Sequence, residues 1–133
     1  MKIGIDIHGV VNKHQKFFSE MTKLFIDAGH EIHVLTGASI NPATKYGRKT
    51  IKEIEDLNIK YTHIFSIIDY HAKIGTEIVY ADSENPWIDG ELWNRSKGDY
   101  CREHKIDIMF DDTKGYAEFF TTPFVHFLSI KKE

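Results

Sequence analysis

The sequence predicts an α/β domain: a parallel sheet of about five strands with helices on both faces. Three observations carry this expectation. Short, β-branched apolar runs recur at 2–6, 31–35, 62–68, 106–110 and 123–128. Segments with apolar residues at helical spacing lie between them. The runs are apolar nearly throughout, as in strands buried on both faces, and do not alternate with polar residues. A length of 133 residues suits a single domain, 1–133. With 41% hydrophobic and 13% aromatic residues the chain can build a core and does not read as disordered.

Each element follows from its residues. Lys2-Ile3-Gly4-Ile5-Asp6 opens the first strand. Phe17, Phe18, Met21, Leu24, Phe25 and Ala28 recur at helical spacing, with Asn12 as the expected cap and Gly29 as the expected stop. Glu31–Leu35 gives the second strand, running into Thr36-Gly37. Pro42 is expected at the first position of a second helix carrying Ile51, Ile54 and Leu57. The run 62–68 gives strand three. Residues 69–96, with Tyr80, Pro86, Trp87, Gly90 and Trp93, read as a small hairpin or irregular insertion. A short helix at 97–104 then leads to strand four, and 123–128 forms strand five. The expected architecture is three-layered and Rossmann-like, with no large cap domain.

Composition excludes several roles. A formal charge of −3 implies no basic face, which argues against general nucleic-acid binding. One cysteine, Cys101, provides no disulfide framework and fits a reducing, cytoplasmic setting. The start MKIGIDIHGVV places Asp6 and His8 where a secretion signal would stay apolar. No apolar run approaches the ~20 residues of a membrane helix, so no membrane partner is expected.

The chemistry-bearing residues fall at strand ends. Strand one ends at Asp6, strand two at Thr36, and strand four at Asp111-Asp112. Right-handed crossovers bring the carboxyl ends of parallel strands to one edge, where ligands bind. Lys97, ahead of strand four, can reach that edge; Lys73, Lys105 and Lys114 are rivals. Three carboxylates in one crevice repel and call for a cation or raised pKa values. Hard oxygen ligands with room for water and phosphate suit Mg²⁺. Asp6 could then attack phosphorus, with Thr36 and Lys97 holding the phosphoryl oxygens.

Asp6-Ile7-His8-Gly9-Val10-Val11, Leu35-Thr36-Gly37, Lys97 and Phe110-Asp111-Asp112, in that order, resemble the haloacid dehalogenase (HAD) superfamily. The resemblance spans residues 2 to about 128. It implies a Mg²⁺-dependent phosphate-monoester hydrolase acting through an aspartyl phosphate. By this resemblance Asp6 is the nucleophile and a metal ligand. Asp111 binds the metal, supported by Asp112, and His8 lends its backbone carbonyl. Gly9 and Gly37 let backbone N–H groups approach the phosphate, alongside Thr36 and Lys97. Capless relatives act on large substrates or close the site by forming homo-oligomers. The implied partner is therefore a phosphorylated small molecule or macromolecule.

One position departs from the family pattern. His8 stands where its phosphatases usually carry the Asp that protonates the leaving group and activates water. Histidine suits proton transfer near neutrality, so His8 reads as a substitute general acid/base. The alternative is a catalytically weak phosphate-binding or regulatory module, or a phosphotransferase. Three other features have plainer readings. His30-Glu31-Ile32-His33 holds possible metal ligands, but no third ligand is evident beside them, so the segment reads as the start of a strand. Trp87 and Trp93 read as packing residues that could also stack a base or sugar. Lys45, Arg48, Lys49 and Lys52 read as a solvated helix face.

Overall fold

The computed structural model describes residues 1–80 and 86–128. Its centre is a five-stranded sheet formed by β1 (Lys2–Ile5), β2 (Glu31–Thr36), β3 (His63–Ser66), β6 (Ile108–Asp111) and β7 (Phe124–His126). The spatial order is β3-β2-β1-β6-β7, and every pairing is parallel. The chain runs outward from β1 to β3 on one side and resumes at β6 on the other. The crevice beyond the carboxyl ends of β1 and β6 is therefore the topological switch point.

Helices cover both faces. Ile3, Ile5, Ile32 and Val34 pack with Phe18 of α1 (Gln15–Asp27) and Ile54 of α2 (Lys45–Asp56). Leu35 and Met109 face the other way and pack with Tyr100 and Cys101 of α4 (Gly90–Glu103). Alternate residues of β2 thus serve opposite cores, as the two-residue period of a strand requires. A third cluster joins Ile67 and Ile68 of α3 (Ile67–Lys73) to Ile88. Among the described residues, no helix is long and apolar enough to cross a membrane.

Several boundaries differ from the expectation, each for a local reason. Asn12 does not cap α1. It lies in a short 3₁₀ turn, Val11–Lys13, and its side chain accepts a hydrogen bond from Gly9 N at 2.7 Å. Pro42 precedes α2, which starts at Lys45; Thr44 is the cap and accepts from Gly47 N at 3.0 Å. Strand three stops at Ser66, whose hydroxyl accepts from Asp69 N and caps α3, so Ile67 and Ile68 are helical. Gly29 does follow α1, at a φ of 88°.

The stretch 69–96 is more regular than expected. It contains the rest of α3, a two-stranded antiparallel ribbon of β4 (Val79–Tyr80) and β5 (Pro86–Trp87), and the first half of α4. The ribbon lies within the stretch expected to hold a hairpin; residues 81–85 lie outside the described residues. The fourth helix starts at Gly90, seven residues before Lys97, because Asp89 accepts from the N–H groups of Glu91 and Leu92. Lys97 is therefore in mid-helix, not at a helix start.

Candidate active site

Three elements meet at the switch point. Asp6 continues β1, its N–H donating to Phe110 O at 3.0 Å, which seats it beside the end of β6. Asp111 is the last residue of β6, and Lys97 reaches in from α4. Its ammonium donates to Asp6 Oδ1 at 2.9 Å and to Asp111 Oδ2 at 2.8 Å. All three side chains are buried: Asp6 is 6% exposed, Lys97 4% and Asp111 0%. Asp111 Oδ1 also accepts from Thr113 N at 3.0 Å. Asp112 completes the group; carboxylate oxygens of Asp6, Asp111 and Asp112 lie within 4.8 Å of one another.

This cluster is electrostatically out of balance. Three carboxylates surround one ammonium. Burial, reinforced by Asp111 and Asp112, pushes the Asp6 carboxyl up to about 6 even with Lys97 pulling it down. Burial alone would lower the Lys97 pKa, but the Asp6 and Asp111 carboxylates outweigh it and hold the ammonium well above its ordinary range. Carboxyl groups raised by burial and like charges beside a cleft are common in functional sites.

The cluster floors a cleft of about 490 Å³. Asp6, Lys97 and Asp112 line it together with His8, Gly37, Tyr46, Trp87, Trp93 and Tyr116. Asp111 lies beneath. Thr36 is fully buried at the end of β2, and its hydroxyl accepts from Ala38 N at 3.3 Å. The backbone of Gly37, not the Thr36 hydroxyl, lines the cleft. Two glycines keep it open. Gly9 sits at a φ of 88°, and a side chain there would collide with the Asp112 carboxylate. A Cβ at Gly37 would lie 2.5 Å from the Trp93 ring.

Aromatic side chains form one wall. Trp93 Nε1 donates to the Tyr116 hydroxyl at 2.7 Å, and the Tyr116 ring lies 5.5 Å from Lys97 Nζ. Trp87 approaches Trp93 with ring centroids 5.8 Å apart and stays half exposed at the mouth. Both tryptophans thus line the cleft as well as packing the ribbon.

His8 stands at the rim, half exposed, and its Nε2–H donates to Glu53 Oε2 at 2.8 Å. Glu53, on α2, is absent from the sequence reading. It lies 45 residues from His8, one position after the Lys45–Lys52 basic stretch that reads as a solvated face. Only the packing of α2 over the β1 end reveals the pair. The rival lysines Lys73, Lys105 and Lys114 do not join the carboxylates; Lys97 alone among the described lysines bonds to them.

No family model matches the chain, and neither a curated protein nor a solved structure does.

Proposed function

We propose that the chain is a capless, HAD-like phosphate-monoester hydrolase. The observation that carries this reading is Lys97 bridging buried Asp6 and Asp111 at the switch point, with Asp112 beside them. An all-oxygen carboxylate set with more negative than positive charge fits Mg²⁺, and Asp6, Asp111 and Asp112 are the residues that would hold it. When bound, Mg²⁺ supplies charge neutralisation at the phosphoryl oxygens and favours the ionised form of the nearby acids.

The chain's own groups do the rest. Lys97 engages Asp6 Oδ1, so attack on phosphorus is assigned to Oδ2. The ester P–O bond breaks as the Asp6–phosphorus bond forms, and the leaving oxygen takes a proton at the rim. Lys97 and the Gly37 backbone offset charge on the transferring group. Water then attacks phosphorus, the acyl phosphate P–O bond breaks, and Asp6 is released as a carboxylate with inorganic phosphate. Glu53 favours His8 as the proton carrier. With Nε2–H committed to Glu53, Nδ1 is the nitrogen that gives a proton to the leaving oxygen and takes one from water. The same bond supports the weaker reading, a phosphate-binding module or phosphotransferase, if it holds the imidazole at the rim away from the phosphorus.

A phosphate-release assay on a broad phosphomonoester panel, with Mg²⁺ and with EDTA across pH 5 to 9, tests the proposal. Mg²⁺-dependent turnover is expected, with Asp6→Asn reducing it by at least about a thousandfold. Mg²⁺ binding without turnover on any substrate would select the binding module.

A further inference from the structure

A second cluster of ligating side chains lies toward the amino-terminal ends of the same strands, away from the cleft. Glu31 and His33 are two apart on β2 and so share one face of the sheet. His63, the first residue of β3, is the direct register partner of His33. Parallel pairing therefore puts three ligating side chains on adjacent positions of one rigid surface. His33 Nε2 lies 3.0 Å from Glu31 Oε1, and His63 Nδ1 lies 3.5 Å from the same oxygen. One donor atom from each residue falls within 4.8 Å of the others.

We propose that Glu31, His33 and His63 form a binding site for a zinc-class transition-metal ion, distinct from the cleft. Two imidazole nitrogens and one carboxylate are the donor set that zinc takes, with water in the fourth position. Mg²⁺ prefers oxygen donors and is a poor match. His33 is 2% exposed, and its other nitrogen, Nδ1, is paired with the Tyr100 hydroxyl at 2.7 Å. Such a partner fixes ring orientation in metal sites. Tyr100 now donates to Nδ1 while Nε2–H donates to Glu31. On metal binding the neutral ring carries its proton on Nδ1, the hydroxyl accepts it, and Nε2 is freed for the ion. No net proton is released at His33.

Half-exposed Glu31 and His63 leave the solvent side open to the ion. The rings of His33 and His63 stack at 4.1 Å with planes 6° apart. Parallel rings cannot both aim at one ion, so His63 must tilt and exchange its 2.9 Å contact with Thr62 Oγ1 for the metal. His63 sits at an exposed strand start and has room to do so. The ion then ties β2 to β3 at the end opposite the phosphate cleft.

The test is a calorimetric titration of the untagged full chain with Zn²⁺ in excess Mg²⁺. Absorption of a Co²⁺ derivative reports the geometry. One equivalent of Zn²⁺ is expected, with a tetrahedral Co²⁺ spectrum and a rise in melting temperature. His63→Ala and Glu31→Gln should each weaken binding at least about tenfold, whereas Asp112→Asn in the cleft should not. Both variants are at solvent-accessible positions, and circular dichroism checks that they fold. Absence of stoichiometric Zn²⁺ binding would overturn the proposal. So would binding that survives in both variants or disappears in Asp112→Asn.

Discussion

The two ends of one parallel sheet hold two clusters of titratable side chains, built on opposite electrostatic terms. At the carboxyl end, Asp6, Asp111 and Lys97 are buried to 6%, 0% and 4% exposure, and like charges crowd around a single ammonium. At the amino end, one buried imidazole pairs with half-exposed Glu31 and His63. Burial disfavours charge at both ends. It pushes Asp6 up to about 6, and it lowers the His33 pKa, with Glu31 opposing the shift. The difference lies in what can relax. His33 can shed its proton and stay paired as a neutral ring. The carboxyl-end cluster cannot become neutral without losing the charges its chemistry would use. A buried site that keeps its repulsion is the better marker of catalysis.

Removing Lys97 should produce the largest effect. Lys97→Met leaves the buried carboxylates of Asp6 and Asp111 facing each other without their cation, with a cost of about 3–5 kcal/mol. Urea unfolding at pH 7 checks this, and Mg²⁺ should recover part of the loss. If the variant were as stable as the parent, the carboxyl-end cluster would be no more demanding than the amino-end one.

Asp6→Asn should act in the opposite direction on stability while abolishing turnover. The folded-state pKa of Asp6 lies above its ordinary value of 3.8, so the folded chain holds this proton more tightly. Its contribution to stability is present below about pH 4 and is lost as pH rises through about 6. Above that, ionised Asp6 is a net burden in the absence of a divalent ion. Asp6→Asn should therefore raise stability by up to about 3 kcal/mol at pH 7 in EDTA, and it should flatten the pH dependence between 4 and 6. Denaturant unfolding across that range, in EDTA, reads both effects.

How much of this was legible in the sequence depends on how far apart the cooperating residues lie in the chain and what joins them. The five parallel strands could be read because each is a short apolar run, and Asp6 and Asp111-Asp112 could be placed because each ends one. The helix starts expected at Asn12, Pro42 and Lys97 are not where the helices begin. Capping depends on which nearby N–H a side chain meets, and Thr44 and Asp89 offered quieter signals. Lys97 is favoured over its rivals by spacing and by an expected helix start, and the second ground fails because a 14-residue helix with few apolar positions hides its amino half. Glu53 and His63 were invisible for a different reason. Each acquires meaning only when helix packing or strand register brings it to a distant histidine.

Glu53 tests whether the rim of the cleft belongs to the chemistry. It is partly exposed, so Glu53→Gln should leave stability within about 0.5 kcal/mol. If Glu53 positions His8, kcat should fall by part of the roughly 10²–10⁴-fold that a general acid/base contributes, with KM nearly unchanged. His8→Asp, which installs the residue that the resembled family carries there, should move the pH–rate profile toward acid. An unchanged profile in His8→Asp, with kcat unchanged in Glu53→Gln, would detach His8 from proton transfer.

The smallest effect belongs to the amino-end cluster without metal. Glu31 is more than a third exposed, so its pair with His33 is screened by solvent and contributes little at pH 7. The sign changes the picture as pH falls. The folded-state pKa of His33 lies below the ordinary imidazole value, so its contribution favours the fold above about 6.5 and is lost with acidification. Glu31 pulls that pKa upward. Glu31→Gln should therefore leave stability at pH 7.5 almost untouched and steepen its loss between pH 6.5 and 5. Denaturant unfolding in EDTA at several pH values resolves this. A parallel offset at every pH would mean that Glu31 contributes by packing alone, and that His33 is carried by Tyr100.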